Sequence, residues 1–586
     1  MNDILRYITA AVLIFLIIAL QPLYLDWLGY NVADDSLDEI SNLNLETKQV
    51  EISLSSKEKF PVNSKTELAT YKVNSAETFT TIVTPLFTTT ITSRSGGSFL
   101  NYYLTSEKEG QFDYVGSYEK NSQLFNPLDP VSLILDNTNN CNPCLSQYNS
   151  SDYEYIYFNQ NFNLLTDMGK NDTIYVETGS IKLDYSLTDV SGNTLINKSV
   201  IFYSDSYFNE HFYEINDEIL FSTNSNNIEL TWLGGLRPTE EKQDEDIMYG
   251  SAIINQAGEI EELQSKDSEE ALPREIYNGQ TDWVAIRTKY FISAIISESP
   301  GKYAMLSSNN ILFGKRDHTP AFNASIGYHK TTNKIEASIY LGPLDIDKLS
   351  HSNADLDAAM NWGYAPIKPI SKGILWLLKF MHNKLNLNYG LVLLLFAVLV
   401  HLITRPLTKK SYESSQNMQK IQPLIKKIQA KHKSDPTKLN KETMALYKKH
   451  SVNPLGGCLP IMLQMPLLWA LFIVFRTTIE FRGAPFMLWI NDLSKPDIVI
   501  NLPFTIPVYG NGIAILPLIM GATLMMTMRM SSATMDSSQK PVMYFMNGFF
   551  ILIFNSFPSG LNLYYTTYNI LSFFQQRKIR KNVADK

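Results

Sequence analysis

The stretch His401-Leu402-Ile403-Thr404-Arg405-Pro406-Leu407-Thr408-Lys409-Lys410 decides how this chain folds. It closes an apolar run, Tyr389 to Ile403, with an arginine at the edge of hydrocarbon, and then turns basic. About 40 residues follow with apolar positions at helical spacing (Met418, Ile421, Ile425, Ile428) on a glutamine-rich, basic background. Asn453-Pro454-Leu455-Gly456-Gly457 then opens a second apolar run. From Arg405 to Lys449, twelve Lys and Arg stand against three acids (Glu413, Asp435, Glu442), a net +9. In a loop this short the positive-inside rule places that charge in the cytoplasm.

The rest of the chain divides around this stretch. Of 586 residues with a net charge of −8, residues 401–586 carry +14, which leaves −22 for residues 1–400. Such a split separates an acidic, polar body from a basic, membrane-bound one, and the mean hydropathy of −0.11 averages the two. Three cysteines are too few for a disulfide framework. Cys141 and Cys144, in Asn-Cys-Asn-Pro-Cys, are compatible with a small structural disulfide or idle thiols, with a redox pair, or with half a metal site. No second cysteine pair or nearby His cluster favours the metal, and no metal ligands are assigned.

Residues 1–25 read as an N-terminal membrane anchor. Arg6 precedes the apolar core and no small-x-small cleavage site follows it, so an uncleaved anchor is preferred to a signal peptide. Residues 26–65 are a polar linker. From 66 to 345 the signals are strand-like: Thr78 to Thr92, Ile181 to Leu187, Ser199 to Tyr203, Glu229 to Leu233, Trp283 to Ile296 and Ile335 to Leu341 are rich in β-branched and aromatic residues between turns. An exported all-β domain, a large twisted sandwich, is the expectation. The acidic stretches Thr239 to Asp246 and Glu259 to Glu270 read as solvated loops. Residues 346–388 form a helical connector, helical from Asp345 to Met360, and then an amphipathic helix. There Ile374, Leu377, Leu378 and Met381 share a face beside Trp376, as an interfacial helix would.

Beyond it the apolar runs predict span 2 at 389–407, a cytoplasmic basic hairpin at 408–452, span 3 at 453–476 and an outer loop at 477–512. Span 4 at 513–530, a cytoplasmic loop at 531–541, spans 5 and 6 at 542–557 and 558–575 and a basic tail at 576–586 complete the chain. The 33 residues from Val542 to Phe574 exceed one span, and Phe557-Pro558-Ser559-Gly560 in their middle folds them into two. The loop Arg476 to Gly512 balances three bases with three acids, and the tail Arg577 to Lys586 has five bases and one acid. Six spans with both termini cytoplasmic satisfy these loops. Asp435-Pro436 reads as the N-cap and first residue of the hairpin's second arm, and Pro423 as an interruption of the first.

Three features of this membrane part carry chemistry. Arg405 and His401 are four residues apart and share a helical face. An arginine deep in a bilayer costs about 2.5 to 3.5 kcal/mol on insertion scales, which points to a hydrated cationic groove open to the cytoplasm; the plainer reading is an arginine snorkelling at the span's end. Runs of about 14 to 17 residues, roughly 21 to 25 Å, are short for a core about 30 Å thick and favour local thinning. Met520, Met525, Met526, Met528 and Met530, with Met543, Met546, Tyr564, Tyr565 and Tyr568, form an adaptable greasy surface of the kind promiscuous binders use. Gln464 is the polar residue of span 3. On the hairpin, Lys420, Lys426, Lys427 and Lys431 suit anionic lipid or an anionic partner. No nucleotide-binding loop or zinc-protease motif is present, and Ser559 lacks a base and reads as turn chemistry, so no catalytic residues and no cofactor are assigned.

These elements resemble the YidC/Oxa/Alb family of membrane protein insertases in its large Gram-negative bacterial form. The resemblance rests on Tyr340-Leu341-Gly342-Pro343, Pro406-Leu407-Thr408-Lys409, Met444-Ala445-Leu446-Tyr447-Lys448, Asn453-Pro454-Leu455-Gly456-Gly457-Cys458 and Gln464-Met465-Pro466. It continues through Ala484-Pro485-Phe486 with Trp489-Ile490, and Phe557-Pro558-Ser559-Gly560-Leu561 with Tyr564-Tyr565. It implies a β-supersandwich on the periplasmic side, five core spans around a cytoplasm-open groove in the bacterial inner membrane, and substrate contacts at Met465, Tyr564 and Tyr565. It also implies newly made membrane proteins as substrates and the Sec translocon, the ribosome and membrane lipids as partners, with no role for DNA. The family's groove arginine falls where this chain has His401, and the arginine here, Arg405, stands one turn further on. The competing expectation, a small-solute transporter or channel, requires a polar path through both leaflets.

Overall fold

The computed structural model describes residues 76–584, apart from 109, 120–123, 136–140, 150–153, 169, 190, 217–226, 266–270, 315, 330, 351–353, 433–434, 451–458, 507–508 and 533–539. The expected anchor and linker, the Asn453–Cys458 motif and most of the loop at 531–541 lie outside the described residues. The chain divides into two compact units, one of residues 58–361 with 477–480 and the other of 362–476 with 481–586.

The first unit is built on β-alternation. In Thr194–Tyr203 and Phe208–Ile215 every second side chain is buried, and pairing of Val200 with His211 and of Lys198 with Tyr213 brings the inward residues together. A thirteen-stranded sheet runs through Ser180–Thr188, Thr194–Tyr203, Phe208–Ile215, Lys334–Pro343, Phe291–Phe313, Arg316–His329 and Asn227–Trp232, each antiparallel to its neighbour. A four-stranded sheet contains Phe79–Val83, Phe87–Thr92 and Ser98–Leu104. Aromatic rings join the two: Phe99 of the small sheet lies 6.1 Å from both Phe202 and Trp232 of the large one. Each ring so buried contributes about 1.5 to 3 kcal/mol.

Three expectations are corrected here. Trp283 to Ile296 is not one strand but the ends of two, Glu275–Arg287 and Phe291–Phe313, joined by a tight turn in which Thr288 N–H donates to Phe291 O at 2.9 Å. The acidic stretches, where described, are not loops: Gln243–Tyr249 is a short helix and Glu259–Gln264 a largely exposed strand, with 266–270 outside the described residues. Thr239, Glu240 and Asp246 are buried, Lys289 pairs with Glu245, and Arg287 pairs with Glu262. Between Asp345 and Met360 the described residues form only two short turns, Ile346–Leu349 and Leu356–Ala359. Of the readings left open for the cysteines, the structure has the disulfide. Cys141 and Cys144 are joined and fully buried beneath Leu233 and Tyr157, where an exchange partner has no access.

The second unit is helical: α1 (Lys368–Leu385), α2 (Tyr389–Lys431), α3 (Pro436–Lys449), α4 (Leu459–Thr477), α5 (Ile515–Ser532), α6 (Lys540–Phe554) and α7 (Ser559–Ala584). Helix α1 buries Ile374 and Leu378 and leaves Trp376 and Phe380 exposed and stacked at 5.6 Å, so it carries two apolar faces. Helix α2 is the surprise. It runs unbroken for 43 residues, about 64 Å, so Pro423 does not interrupt the arm. Pro423 sits on the exposed face of the arm, so its ring displaces no packed neighbour. At Pro406 the hydroxyls of Thr404 and Thr408 donate to Val400 O (2.8 Å) and Thr404 O (3.0 Å), supporting the ladder on both sides. The far end of α2 packs with α3 as a hairpin: Ile421 and Ile425 meet Met418, Leu446 and Tyr447, and Asp435 Oδ1 caps α3 by accepting from Lys438 N–H at 3.0 Å.

Among the described residues one helical stretch, Tyr389–Ser411, is long and apolar enough to cross a membrane, and Gln464–Thr477 and Ile515–Thr527 are shorter apolar helices. At 18 and 15 residues, α5 and α6 measure about 27 and 22 Å, less than a hydrocarbon core of about 30 Å.

Candidate functional site

The site is organised by α7, which packs against α2 on one side and α5 on the other. Its first residues are fixed from outside the helix. Ser559 N–H donates to Lys495 O (2.8 Å), Gly560 N–H to Leu493 O (2.9 Å) and Ser559 Oγ to Asp492 O (2.9 Å), satisfying donors that a helix start leaves open. A Cβ on Gly560 would press to 3.1 Å from Leu493 O and 3.2 Å from both Leu393 and Phe475, so a larger residue would make α2, α4 or the loop give way by a few tenths of an ångström here. Ser559 is therefore turn chemistry, as its lack of a base suggests.

From this anchor an aromatic column descends between α7 and α2. Tyr564 packs on Phe396 (5.6 Å) and stacks with Tyr568 (6.2 Å), and Tyr568 meets the edge of His401 (5.7 Å). The column ends in polar contacts, with the hydroxyls of Tyr568 and Thr404 3.2 Å apart and Gln575 Nε2 donating to Arg405 O at 3.2 Å. His401 and Arg405 thus differ in surroundings although they share a face: His401 is 8% exposed, inside the column, whereas Arg405 is exposed at its foot. Tyr565 meets Tyr564 of the column edge-on (5.0 Å) and also Phe554 (5.8 Å), which packs on Phe557 (4.8 Å), which in turn packs on Phe472 of α4 (5.1 Å).

The structure thus brings Tyr564, His401 and Arg405 into one column and sets Tyr565 between Tyr564 and Phe554 of α6. Gln464 and Met465 lie on α4, two turns before Phe472; Met465 is 40% and Trp469 47% exposed on one stripe. Of the methionines, Met520 is buried and Met526 exposed, while the side chains of Met528, Met530, Met543 and Met546 lie outside the described residues. Lys420, Lys426, Lys427 and Lys431 are all exposed along the α2 arm.

A second feature was not singled out from the sequence. Asn562, Thr566, Asn569 and Gln576 recur at helical spacing along α7, with Ser572 and Gln575 beside them. Asn562 Nδ2 closes the end of α6 by donating to Phe554 O (3.1 Å) and Phe557 O (3.3 Å). Thr566 Oγ1, Ser572 Oγ, Gln575 Oε1 and Gln576 Oε1, however, are buried with no protein partner. Each such group costs about 1 to 3 kcal/mol when left unpaired. The period was legible among apolar residues; the missing partners were not.

Both units of the chain have relatives among known proteins. Residues 380–586 match the family described as 60Kd inner membrane protein, and residues 161–377 match the YidC periplasmic domain. The membrane protein insertase YidC of Chlorobium phaeovibrioides is 36% identical over 436 residues, covering 71% of this chain and 72% of that protein. That of Chlorobium limicola is 32% identical over 524 residues, covering 87% and 84%. A crystal structure of an active YidC insertase with its first transmembrane domain resolved aligns over 86% of this chain and 93% of that one at 16% identity, with a TM-score of 0.33.

Proposed function

The chain belongs to the YidC family of membrane protein insertases, and from that premise we propose that it inserts newly made proteins into the inner membrane through a groove that opens to the cytoplasm and to lipid but not to the other side. The observation that carries this is the stripe of unpartnered oxygens on α7. In hydrocarbon they are costly, whereas a groove that cytosolic water enters relieves the cost and offers a passing polar segment hydrogen bonds in water's place.

In this reading six spans, five of them forming the core, keep both termini in the cytoplasm and export the β domain, which has the family's supersandwich form. His401 and Arg405 attract the acidic or polar tail of the passenger, and its apolar helix leaves sideways along the exposed Met465 and Trp469, while the buried Tyr564 holds α7 against α2. Partitioning of that helix at about 25 cal/mol per Å² drives the reaction, so no nucleotide, cofactor or catalytic residue takes part. The short α5 and α6 thin the bilayer beside the groove. The exposed lysines of the α2 arm dock on anionic lipid or on ribosomal RNA, and the bundle works alone or beside the Sec translocon.

Depletion of the protein followed by an insertion assay on a short, single-span substrate tests this. Insertion falls at least about tenfold, the ratio set by about 1.4 kcal/mol. Unchanged insertion after confirmed depletion excludes the role. Ion flux in vesicles holding the protein but no passenger points instead to a solute conduit.

A further inference from the structure

A groove that is wet on one side needs a closure on the other, and the residues between α4 and α5 supply one. The Phe486 ring lies against Gly390, at the start of α2, so closely that any side chain at Gly390 would overlap it. The loop then folds on itself, with Phe486 N–H donating to Ile490 O (2.8 Å) and Leu493 N–H to Ala484 O (3.0 Å). Its next residues hold the start of α7 through the carbonyls of Asp492, Leu493 and Lys495. Asp497 holds the start of α5: one buried carboxylate oxygen, Oδ2, accepts from Ile515 N–H (3.1 Å), Leu516 N–H (2.8 Å) and Trp489 Nε1–H (3.0 Å). One loop therefore binds the beginnings of three helices at the same end of the bundle. A further tie comes from Asn555 at the end of α6, which donates to Tyr509 O (2.8 Å) and Gly512 O (2.7 Å) and accepts from Ala514 N–H (3.0 Å).

We propose that residues 484–497 are the outer seal of the groove, with Asp497 and Trp489 the positioning pair that keeps it shut. The pair touches no passenger; it acts by fixing where α5 begins, so that the polar stripe of α7 meets water from one face only. This rests on the wet groove proposed above.

The test uses the full chain with Cys458 replaced (C458S) and one new cysteine, T566C, in sealed membranes of known orientation exposed to a membrane-impermeant maleimide. The parent is labelled from the cytoplasmic face alone. Adding D497A raises labelling from the outer face about tenfold, the ratio set by about 1.4 kcal/mol of lost capping. D497N, whose amide oxygen still accepts the same three bonds, leaves it low, and W489F, which loses only the indole N–H, falls between. A merely structural Asp497 would lower the melting temperature without creating outer-face labelling. If D497A does not fold, W489F decides. Outer-face labelling at the parent level in folded D497A and W489F chains overturns the seal. Labelling of the parent from neither face overturns instead the wet groove on which it rests.

Discussion

Replacing His401 and Arg405 together by alanine lowers insertion of a passenger with an acidic exported tail about 10- to 100-fold, while a passenger with a neutral tail loses little. The size follows from a charge-assisted hydrogen bond to a carboxylate, worth about 1.5 to 3 kcal/mol net. The geometry explains why both must go. Arg405 stands exposed at the foot of the column, where on the proposed reading it meets a tail arriving from the cytoplasm. His401 sits one turn deeper, against Tyr568, and on the same reading is the next group such a tail reaches. Each single variant keeps one of the two and loses about 3- to 5-fold, under 1 kcal/mol. Arg405→Lys keeps the charge and most of the activity. Protease protection of the exported tail in reconstituted vesicles measures all four, and equal losses for acidic and neutral tails would remove the charge from the mechanism.

The exported domain is expected to be least stable near pH 7 and to gain on either side. Burial pushes the Lys198 amine down to about 7; its ammonium group donates to Ser95 O (2.9 Å) and lies 5.0 Å over the Tyr213 ring. Burial, and then the Glu240 charge, push the Asp246 carboxyl up to about 7. The signs are opposite. A raised carboxyl contributes stability that is complete below its unfolded value near 4 and is lost as pH rises through about 7. A depressed amine contributes stability that is complete above its unfolded value near 10.5 and is lost as pH falls through about 7.

Between pH 5 and 7 the domain therefore loses about 2 kcal/mol through Asp246, and between pH 7 and 9 it regains about 2 kcal/mol through Lys198. Hydrogen exchange of the slowest amides in Thr194–Tyr203 and Phe208–Ile215, corrected for intrinsic rates, reads this in the whole chain. Asp246→Asn flattens the acid limb. Lys198→Met flattens the alkaline limb and raises the minimum by about 3 kcal/mol. Protection unaffected by pH in the parent, or unchanged limbs in the variants, would contradict the assignment.

What was legible in the sequence follows the range of the forces involved. Alternation in Ser199 to Tyr203 and Ile335 to Leu341 marks strands because it is local, and Asp435-Pro436 marks a helix start for the same reason. The turn at Thr288-Lys289-Tyr290 escaped because it contains no Gly, Asn or Pro. The acidic stretches were misread because their partners, Arg287 and Lys289, stand about 25 to 45 residues further along. A carboxylate looks solvated until its cation is placed. Pro423 reads as a helix breaker, but an exposed proline on a helix with packed neighbours is tolerated. In the site, the pairing of His401 with Arg405 was visible as a four-residue step. The partner of His401, Tyr568, is 167 residues away and was known only as part of an apolar surface. Trp489-Ile490 and Phe557-Pro558-Ser559-Gly560 were recognisable as motifs, and only the fold shows that the loop carrying the first caps the helix that begins in the second.

The wet half-groove is tested most directly by a nitroxide placed in turn at Ser572, on the unpartnered polar face of α7, and at Ile570, on its exposed apolar face. Power-saturation measurements in lipid compare relaxation by a water-soluble nickel chelate with relaxation by oxygen, which prefers the hydrocarbon. The nickel chelate is expected to dominate at position 572 and oxygen at position 570, two residues apart on one helix. Oxygen dominating at both would mean that no water reaches α7, and the groove would not exist.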